Sequence, residues 1–459
     1  MWPSRFLMMI VASFVALGAA HAQTFSALYT FDGVTGQNPY SAPTQGRDGN
    51  LYGTTVSGGT YGMGTVYREG PGGGQVKVLY NFSGPDGMNP SGLTLAADGN
   101  FYGTAGGGSF NEGILFRISS SGILTVLYNF TGGADGSGPL NGVIKATNGN
   151  FYGENLVGNL LGIYEYTPSN AVQVIYTFPA SVPVGAVPPM VEGSDGKLYS
   201  VNSQGGIFDC GSVTSSTLGG VLIASYSFGT AGVCDGFEKT GWETEGSVVQ
   251  ASNGDVYDTN ATAGIYGFGT IFKISKTVGP SILHSFARST TDGGNPLAGL
   301  VQASDGNFYG VTIGGGANGI GTIYLLRPDG TYSVLYSFSG QNGSAYWPLV
   351  QHTNGKFYST TVSGGSNGEG TIYSFDSGLR SFVAFVFTSA RAGQSVQILG
   401  QRLTGATSVT FNGVPAATFS VVSDTYMTAV VPSGATTGKV VVTTPGGALT
   451  SNVSFRVVN

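Results

Sequence analysis

Asp305-Gly-Asn-Phe-Tyr309-Gly310 decides the reading of this chain, because the same short pattern returns along the sequence. It stands as Asp48-Gly-Asn-Leu-Tyr52-Gly53, Asp98-Gly-Asn-Phe-Tyr102-Gly103 and Asn148-Gly-Asn-Phe-Tyr152-Gly153. Shorter forms are Asp195-Gly-Lys-Leu-Tyr199, Asn253-Gly-Asp-Val-Tyr257 and Asn354-Gly-Lys-Phe-Tyr358. Successive tyrosines lie 50, 50, 47, 58, 52 and 49 residues apart. Self-similarity at a nearly fixed period is the mark of a repeat architecture, in which each unit buries its apolar face against the next.

Two further elements keep step with the first. One is Gly64-Thr-Val-Tyr67, repeated as Gly113-Ile-Leu-Phe116, Gly211-Ser-Val-Thr214, Gly269-Thr-Ile-Phe272, Gly321-Thr-Ile-Tyr324 and Gly370-Thr-Ile-Tyr373, with a looser match at Gly162-Ile-Tyr164. The other is an alternating aromatic strand such as Leu79-Tyr-Asn-Phe82 or Leu335-Tyr-Ser-Phe338, with Leu283-His-Ser-Phe286 carrying His284 in place of the tyrosine. With the short apolar stretch before each Asp-Gly or Asn-Gly, every unit holds four strands, the content of one propeller blade.

The Asp-Gly and Asn-Gly pairs are expected in type I′ hairpin turns, with φ > 0 at both central residues. Four repeats use Asp and three use Asn, so the carboxylate is dispensable there, and a catalytic or calcium-binding role is excluded because either needs the charge. The fold expected is all-β: a seven-bladed β-propeller over residues 23–378, then a small immunoglobulin-like β-sandwich over residues 379–459. The segment 26–31 has the fourth-strand pattern but precedes the first unit. It is expected to close blade seven and so join the two ends of the ring.

Composition narrows the function. Charged residues are only 9%, the net charge is −6, and no basic stripe appears, so the footprint of a nucleic-acid binder is missing. Arg5, the apolar run from Leu7 to Ala20, and Ala20-His21-Ala22 read as a secretory signal peptide over residues 1–22, too short in its apolar core to span a bilayer. The protein is expected to be exported: extracellular, at the cell surface or periplasmic, with no membrane span in the mature chain. Cys210 and Cys234, the only cysteines, fall in loops that a four-stranded meander brings to one face. They are expected to pair, contributing ~3 kcal/mol by loop-closure entropy. No metal or cofactor is expected, since two cysteines and two histidines beyond the leader (His284, His352) show no ligand spacing.

Beyond Asp376 the repeat stops. Gly393-x-Ser-Val-x-Ile-x-Gly400, Leu403-Thr-Gly-Ala-Thr-Ser-Val-Thr-Phe411-Asn-Gly413 and Gly438-Lys-Val-Val-Val-Thr-Thr-Pro-Gly-Gly447 resemble the IPT/TIG immunoglobulin-like family across most of residues 383–459. That resemblance implies a spacer or contact module without catalytic residues of its own. The repeat half, on its Asp-Gly-Asn-Phe-Tyr-Gly, Gly-Gly and Gly-Thr-Ile-Tyr elements, resembles the exported bacterial "GloVer" tandem-repeat proteins. It implies surface or extracellular display and no particular reaction.

Chemistry has few candidate places. Asp235, Glu238, Glu243 and Glu245 surround Trp242 in the longest interval between repeat tyrosines, and carboxylates beside an aromatic platform are what a glycosidase uses. A solvated insertion pinned by the disulfide accounts for the same residues. Tyr346 and Trp347, on the loop entering blade seven, are candidates for stacking on a sugar face, with blade-to-blade packing as the competing role for Trp347. Repeated Gly-Gly pairs such as Gly58-Gly59 and Gly314-Gly315 read as turns, since no P-loop lysine follows. His284 reads as a structural substitute for tyrosine. The function expected is binding or adhesion, with one propeller face contacting a polysaccharide or an envelope protein. The alternative is a polysaccharide hydrolase or lyase acting through the carboxylates around Trp242.

Overall fold

A computed structural model describes residues 23–169, 171–179, 190–193, 195–202, 212–227, 248–251, 253–262, 264–275 and 279–458. The expected signal peptide, both cysteines, and Asp235, Glu238, Trp242, Glu243 and Glu245 lie outside the described residues.

The described chain is all-β, and up to Asp376 it is a series of seven antiparallel four-stranded sheets. Sheet one is Thr44–Gln45, Leu51–Thr55, Thr65–Glu69 and Lys77–Asn81, paired in sequence order. The next five sheets repeat this meander, and the last one departs from it. Its strands Val350–Gln351, Phe357–Thr361 and Thr371–Asp376 are completed by the N-terminal strand Thr24–Thr30, whose Phe25 stands opposite Phe375 and Thr30 opposite Thr371. Phe25 also stacks on Tyr336 of sheet six at 4.4 Å, and Phe31 meets Tyr67 of sheet one at 5.3 Å.

The repeated motif is explained by two faces of the second strand. On one face its tyrosine stacks on the phenylalanine of the next sheet: Tyr52 on Phe101 at 4.2 Å, Tyr102 on Phe151 at 4.1 Å, Tyr257 on Phe308 at 4.1 Å. On the other face the following glycine lies under a third-strand aromatic, as in the cross-strand pairs Gly53–Tyr67, Gly103–Phe116 and Gly310–Tyr324. A Cβ at Gly53 or Gly310 would collide with the phenol of Tyr67 or Tyr324, and one at Gly103 would stand 2.7 Å from the tip of Phe116. Where sheet five carries Asp258 at this position, its partner is Phe272, shorter by the hydroxyl. Gly310→Ala therefore is expected to cost about 1–3 kcal/mol through displacement of a fully buried ring, read as a lower midpoint in urea. A neutral result would mean that Tyr324 has room to shift.

The Asp-Gly turns differ from expectation. Only the glycine has positive φ, as at Gly49 (75°), Gly99 (82°) and Gly306 (83°), while Asp48, Asp98 and Asp305 do not. Gly49 N–H donates to Gly46 O and Gly46 N–H to Asn50 O, so the loop is a β-turn closed by a left-handed glycine rather than a two-residue type I′ turn. The acid side chain earns its place by capping: Asp48 accepts from the Asn50 backbone N–H (3.2 Å) and from the Tyr52 hydroxyl (2.8 Å). Where the residue is Asn148 or Asn354, its amide donates to the oxygen of Tyr152 (2.7 Å) or Tyr358 (2.8 Å) instead. A phenol is donor and acceptor, so both residues fit.

Neighbouring sheets are clipped by side chains at the end of the first strand. Gln45 Oε1 accepts from Thr353 N–H (2.9 Å), Gln351 Oε1 from Ser304 N–H (2.8 Å) and Glu192 Oε2 from Thr147 N–H (2.8 Å). Farther along, Thr54 donates to Ser91 O, Thr259 to Ala298 O and Thr360 to Ser41 O, each 3.0 to 3.1 Å, from one sheet to the next. The last of these joins sheet seven to sheet one.

Residues beyond Leu379 form two further four-stranded sheets and a short parallel pair, Ser389–Arg391 with Arg456–Val458. Val396, Ile398, Met427 and Ala429 of one sheet share a core with Val409, Phe411, Val440 and Val442 of the other. This unit does not hang from a linker. It packs on the turns between first and second strands: Arg47 donates to Gln397 Oε1 (2.8 Å) and to Ala97 O and lies over the Tyr426 ring. Thr425 donates to Arg47 O (2.7 Å), Thr353 to Gly400 O (3.2 Å), and Leu399 and Tyr426 join the core of sheets one and two. Beneath them His352 is fully buried, donating from Nε2 to Gly49 O (3.0 Å) and accepting Asn354 N–H at Nδ1 (3.1 Å), an arrangement of the neutral ring, whose pKa burial lowers.

Candidate functional site

Among the described residues, the loops between second and third strands and the connections to the next sheet emerge on the face opposite these turns. The C-terminal unit packs on turns of the first face, and among the described residues it leaves the loop face open. Among the described residues, three of its loops expose an aromatic ring at the same repeat position, three residues before the glycine that ends the loop (Gly64, Gly113 or Gly269): Tyr61, Phe110 and Tyr266, 61%, 59% and 55% exposed. The equivalent residues in sheets six and seven are Asn318 and Asn367, whose amides are turned inward to Phe338 O and Phe31 O at 3.0 and 2.9 Å. Sequence reasoning missed these rings, although aligning the loops on Gly64, Gly113 and Gly269 brings them into register.

A cavity of about 790 Å3 is lined by residues entering and within the first strands of sheets one to four, by Tyr152–Glu154 of sheet three, and by Trp347 and Pro348. Trp347 is buried, donates its indole N–H to Pro39 O (3.0 Å), and meets Tyr40 at 4.3 Å with the rings inclined by 61°. It ties the entry of sheet seven to that of sheet one and forms part of the cavity wall. Tyr346 beside it is half-buried. Deeper in the wall stands Glu154, 2% exposed, at the position occupied by the clipping residues Thr54, Thr259 and Thr360. Its carboxyl interacts with the Asn141 side chain and accepts at Oε1 from Ser200 (3.5 Å), while Oε2 has no partner within hydrogen-bonding geometry. Burial pushes its pKa well above the ordinary carboxylate range.

Two more buried acids lie outside this cavity. Glu69 is 1% exposed with both oxygens unpartnered, and burial pushes its pKa up to about 8. Asp258, fully buried, accepts the Thr259 N–H at one oxygen and is also pushed up to about 8 by desolvation. His284 does stand in for the repeat tyrosine. Tyr80 donates to Asp86, Tyr128 to Asp135 (3.0 Å), and His284 Nε2 meets Asp292 at 3.1 Å while its ring stacks on Tyr332 at 3.8 Å. Among the described residues no group of three or more metal-ligating side chains gathers.

A repeat model, the Gloeobacter/Verrucomicrobia repeat, matches this sequence over residues 17–214 and 186–419, most of its length. The chain belongs to that family. Among solved structures, this repeat-family chain is similar to a catalytically inactive virginiamycin B lyase from Staphylococcus aureus with quinupristin, at 14% identity and TM-score 0.51, over 77% of this chain and 99% of that one. It is also similar to a gluconolactonase from Xanthomonas campestris, at 11% identity and TM-score 0.43, over 78% and 90% of the two chains. Likeness at this level shows the fold alone, that of β-propeller-type proteins. No curated protein matches the chain.

Proposed function

We propose that this repeat-family protein is an exported or surface-displayed polysaccharide-binding protein, a seven-bladed propeller capped on its turn face by an immunoglobulin-like domain of IPT/TIG type. The observation carrying this reading is the recurrence of an exposed ring, Tyr61, Phe110 and Tyr266, at one loop position on the face left open. A flat apolar ring held on a rigid loop stacks on the C–H face of a sugar and spends little side-chain entropy in doing so. The low charge of the whole chain, 9%, fits a neutral polymer better than an anionic one.

The test is co-sedimentation with insoluble cellulose, chitin, xylan and mannan. At least one polymer is expected to retain the protein, and each of Tyr61→Ala, Phe110→Ala and Tyr266→Ala is expected to weaken retention by roughly three- to tenfold. Retention unchanged in all three variants, or no polymer retained, overturns the proposal. The hydrolase alternative rests on carboxylates outside the described residues, and mass spectrometry of the supernatants checks it directly through released oligosaccharides.

A further inference from the structure

We propose that the cavity beneath the loop face is a second binding site, taking a short neutral saccharide, and that Glu154 anchors it as a hydrogen-bonding carboxylic acid. The inference deepens the polysaccharide reading, since it adds a pocket for a free chain end or a small oligomer to an open polymer-binding face. It stands on different residues.

The chemistry of the wall argues for the ligand class. At about 790 Å3 the cavity is within the size range of small-molecule sites. Among the described residues that line it, Glu154 is the only acid or base apart from tyrosines, so neither a phosphate nor a carboxylate finds a counter-charge among them. The first strand of each sheet pairs with the second along one edge only, and on the other edge Thr44 donates to Leu93 O and Thr94 to Val143 O, leaving the remaining backbone groups of that edge outside the ladder. Such an array, with the Asn89 amide and the hydroxyls of Ser41 and Ser91, which also bond Thr54 and Thr104, suits a molecule dense in hydroxyls that donate and accept in turn.

Glu154 supplies the anchor. In sheets one, five and seven this position is a threonine that donates to the next sheet, in sheets four and six it is Val201 and Val311, and sheet three places there a longer acid whose Oε2 is left without a hydrogen bond although the residue is buried. An unmatched buried polar atom costs stability, and a ligand hydroxyl removes that cost. Burial without a nearby cation raises its pKa well above the ordinary carboxylate range, which favours the protonated form that both donates and accepts. A cationic ligand would require the ionised form and would bind better as pH rises.

The experiment uses the full-length protein, with cellotetraose, xylotetraose, mannotetraose and chitotetraose as probes in calorimetry and in infrared spectra differenced between wild type and Glu154→Gln. One probe is expected to bind, to shift the protonated-carboxyl band without abolishing it, and to bind equally at pH 5 and pH 7. Glu154→Gln, which keeps donor and acceptor, is expected to stay within threefold, and Glu154→Ala to lose about tenfold. Should Glu154→Ala fail to fold, Ala42→Trp fills the cavity from sheet one and is expected to abolish binding. No binding of any probe, loss of the band on binding, or equal binding by wild type and Ala42→Trp overturns the inference. Rim variants at Tyr61, Phe110 and Tyr266 should leave tetrasaccharide binding intact, so failure of the rim and failure of the cavity give different results.

Discussion

Deletion of Thr24–Phe31 leaves a protein with no cooperative unfolding transition at 25 °C. The strand supplies the outermost ladder of sheet seven, from Thr24 opposite Asp376 to Thr30 opposite Thr371. It also inserts Phe25 between Tyr336 and Tyr373 and Phe31 against Tyr67. Losing two packed phenylalanines and one strand of hydrogen bonds costs roughly 5–10 kcal/mol, comparable to the whole stability of an ordinary domain. Circular dichroism and urea titration read the outcome. A transition within about 1 kcal/mol of wild type would mean that the other three strands hold sheet seven unaided.

Replacing Glu69 by leucine stabilises the protein, and does so more at pH 8 than at pH 5. Sheets two, five and six carry Ile118, Ile274 and Leu326 at this position, so leucine meets a slot already built for an apolar side chain. The sign of the pH dependence follows from the raised pKa. Between about pH 4.5 and about pH 8 the folded protein keeps a proton on Glu69 that the unfolded chain has released, so the native state binds more protons and stability falls as pH rises through that window. Asp258 and Glu154 act in the same direction. His352 opposes them: its pKa is lowered from 6.5, the unfolded chain takes up the proton first, and stability falls as pH drops below that value. Wild type is therefore most stable in mildly acidic solution. The gain from Glu69→Leu at pH 8 is expected to exceed that at pH 5 by about 3 kcal/mol, measured as urea midpoints at both values. Equal gains would show that the carboxyl is hydrated in the native state.

The repeat let the strand order inside each sheet be read from sequence because one side-chain pattern answers to one backbone. Glycine after tyrosine marks the ring that crosses it, and alternating Tyr-x-Phe marks a strand packed on one face. The turn was misjudged for a physical reason: Asp-Gly suits a two-residue turn, but Gly46 and Asn50 extend the hydrogen-bonded loop, so only the glycine needs the left-handed conformation. Departures from the repeat held more information than was drawn from them. Glu154 among threonines and valines and Glu69 among isoleucine and leucine are visible on alignment of the units, yet their burial is a property of neighbouring sheets. The seat of the C-terminal unit was illegible, since Arg47, Thr353 and Gln397 belong to no motif and meet only in three dimensions. The candidates around Trp242 lie outside the described residues, and Trp347 lies in a wall, bonded to Pro39.

The phenol at each turn has a consequence for how such a protein can diverge. Because Tyr52 gives its proton to an aspartate while Tyr152 and Tyr358 receive one from an asparagine, exchange of acid for amide leaves the loop path unchanged. Surface charge on that side is thus uncoupled from backbone shape. A lineage can drift toward a more acidic or a more neutral coat, one repeat at a time, without passing through a poorly folded ancestor.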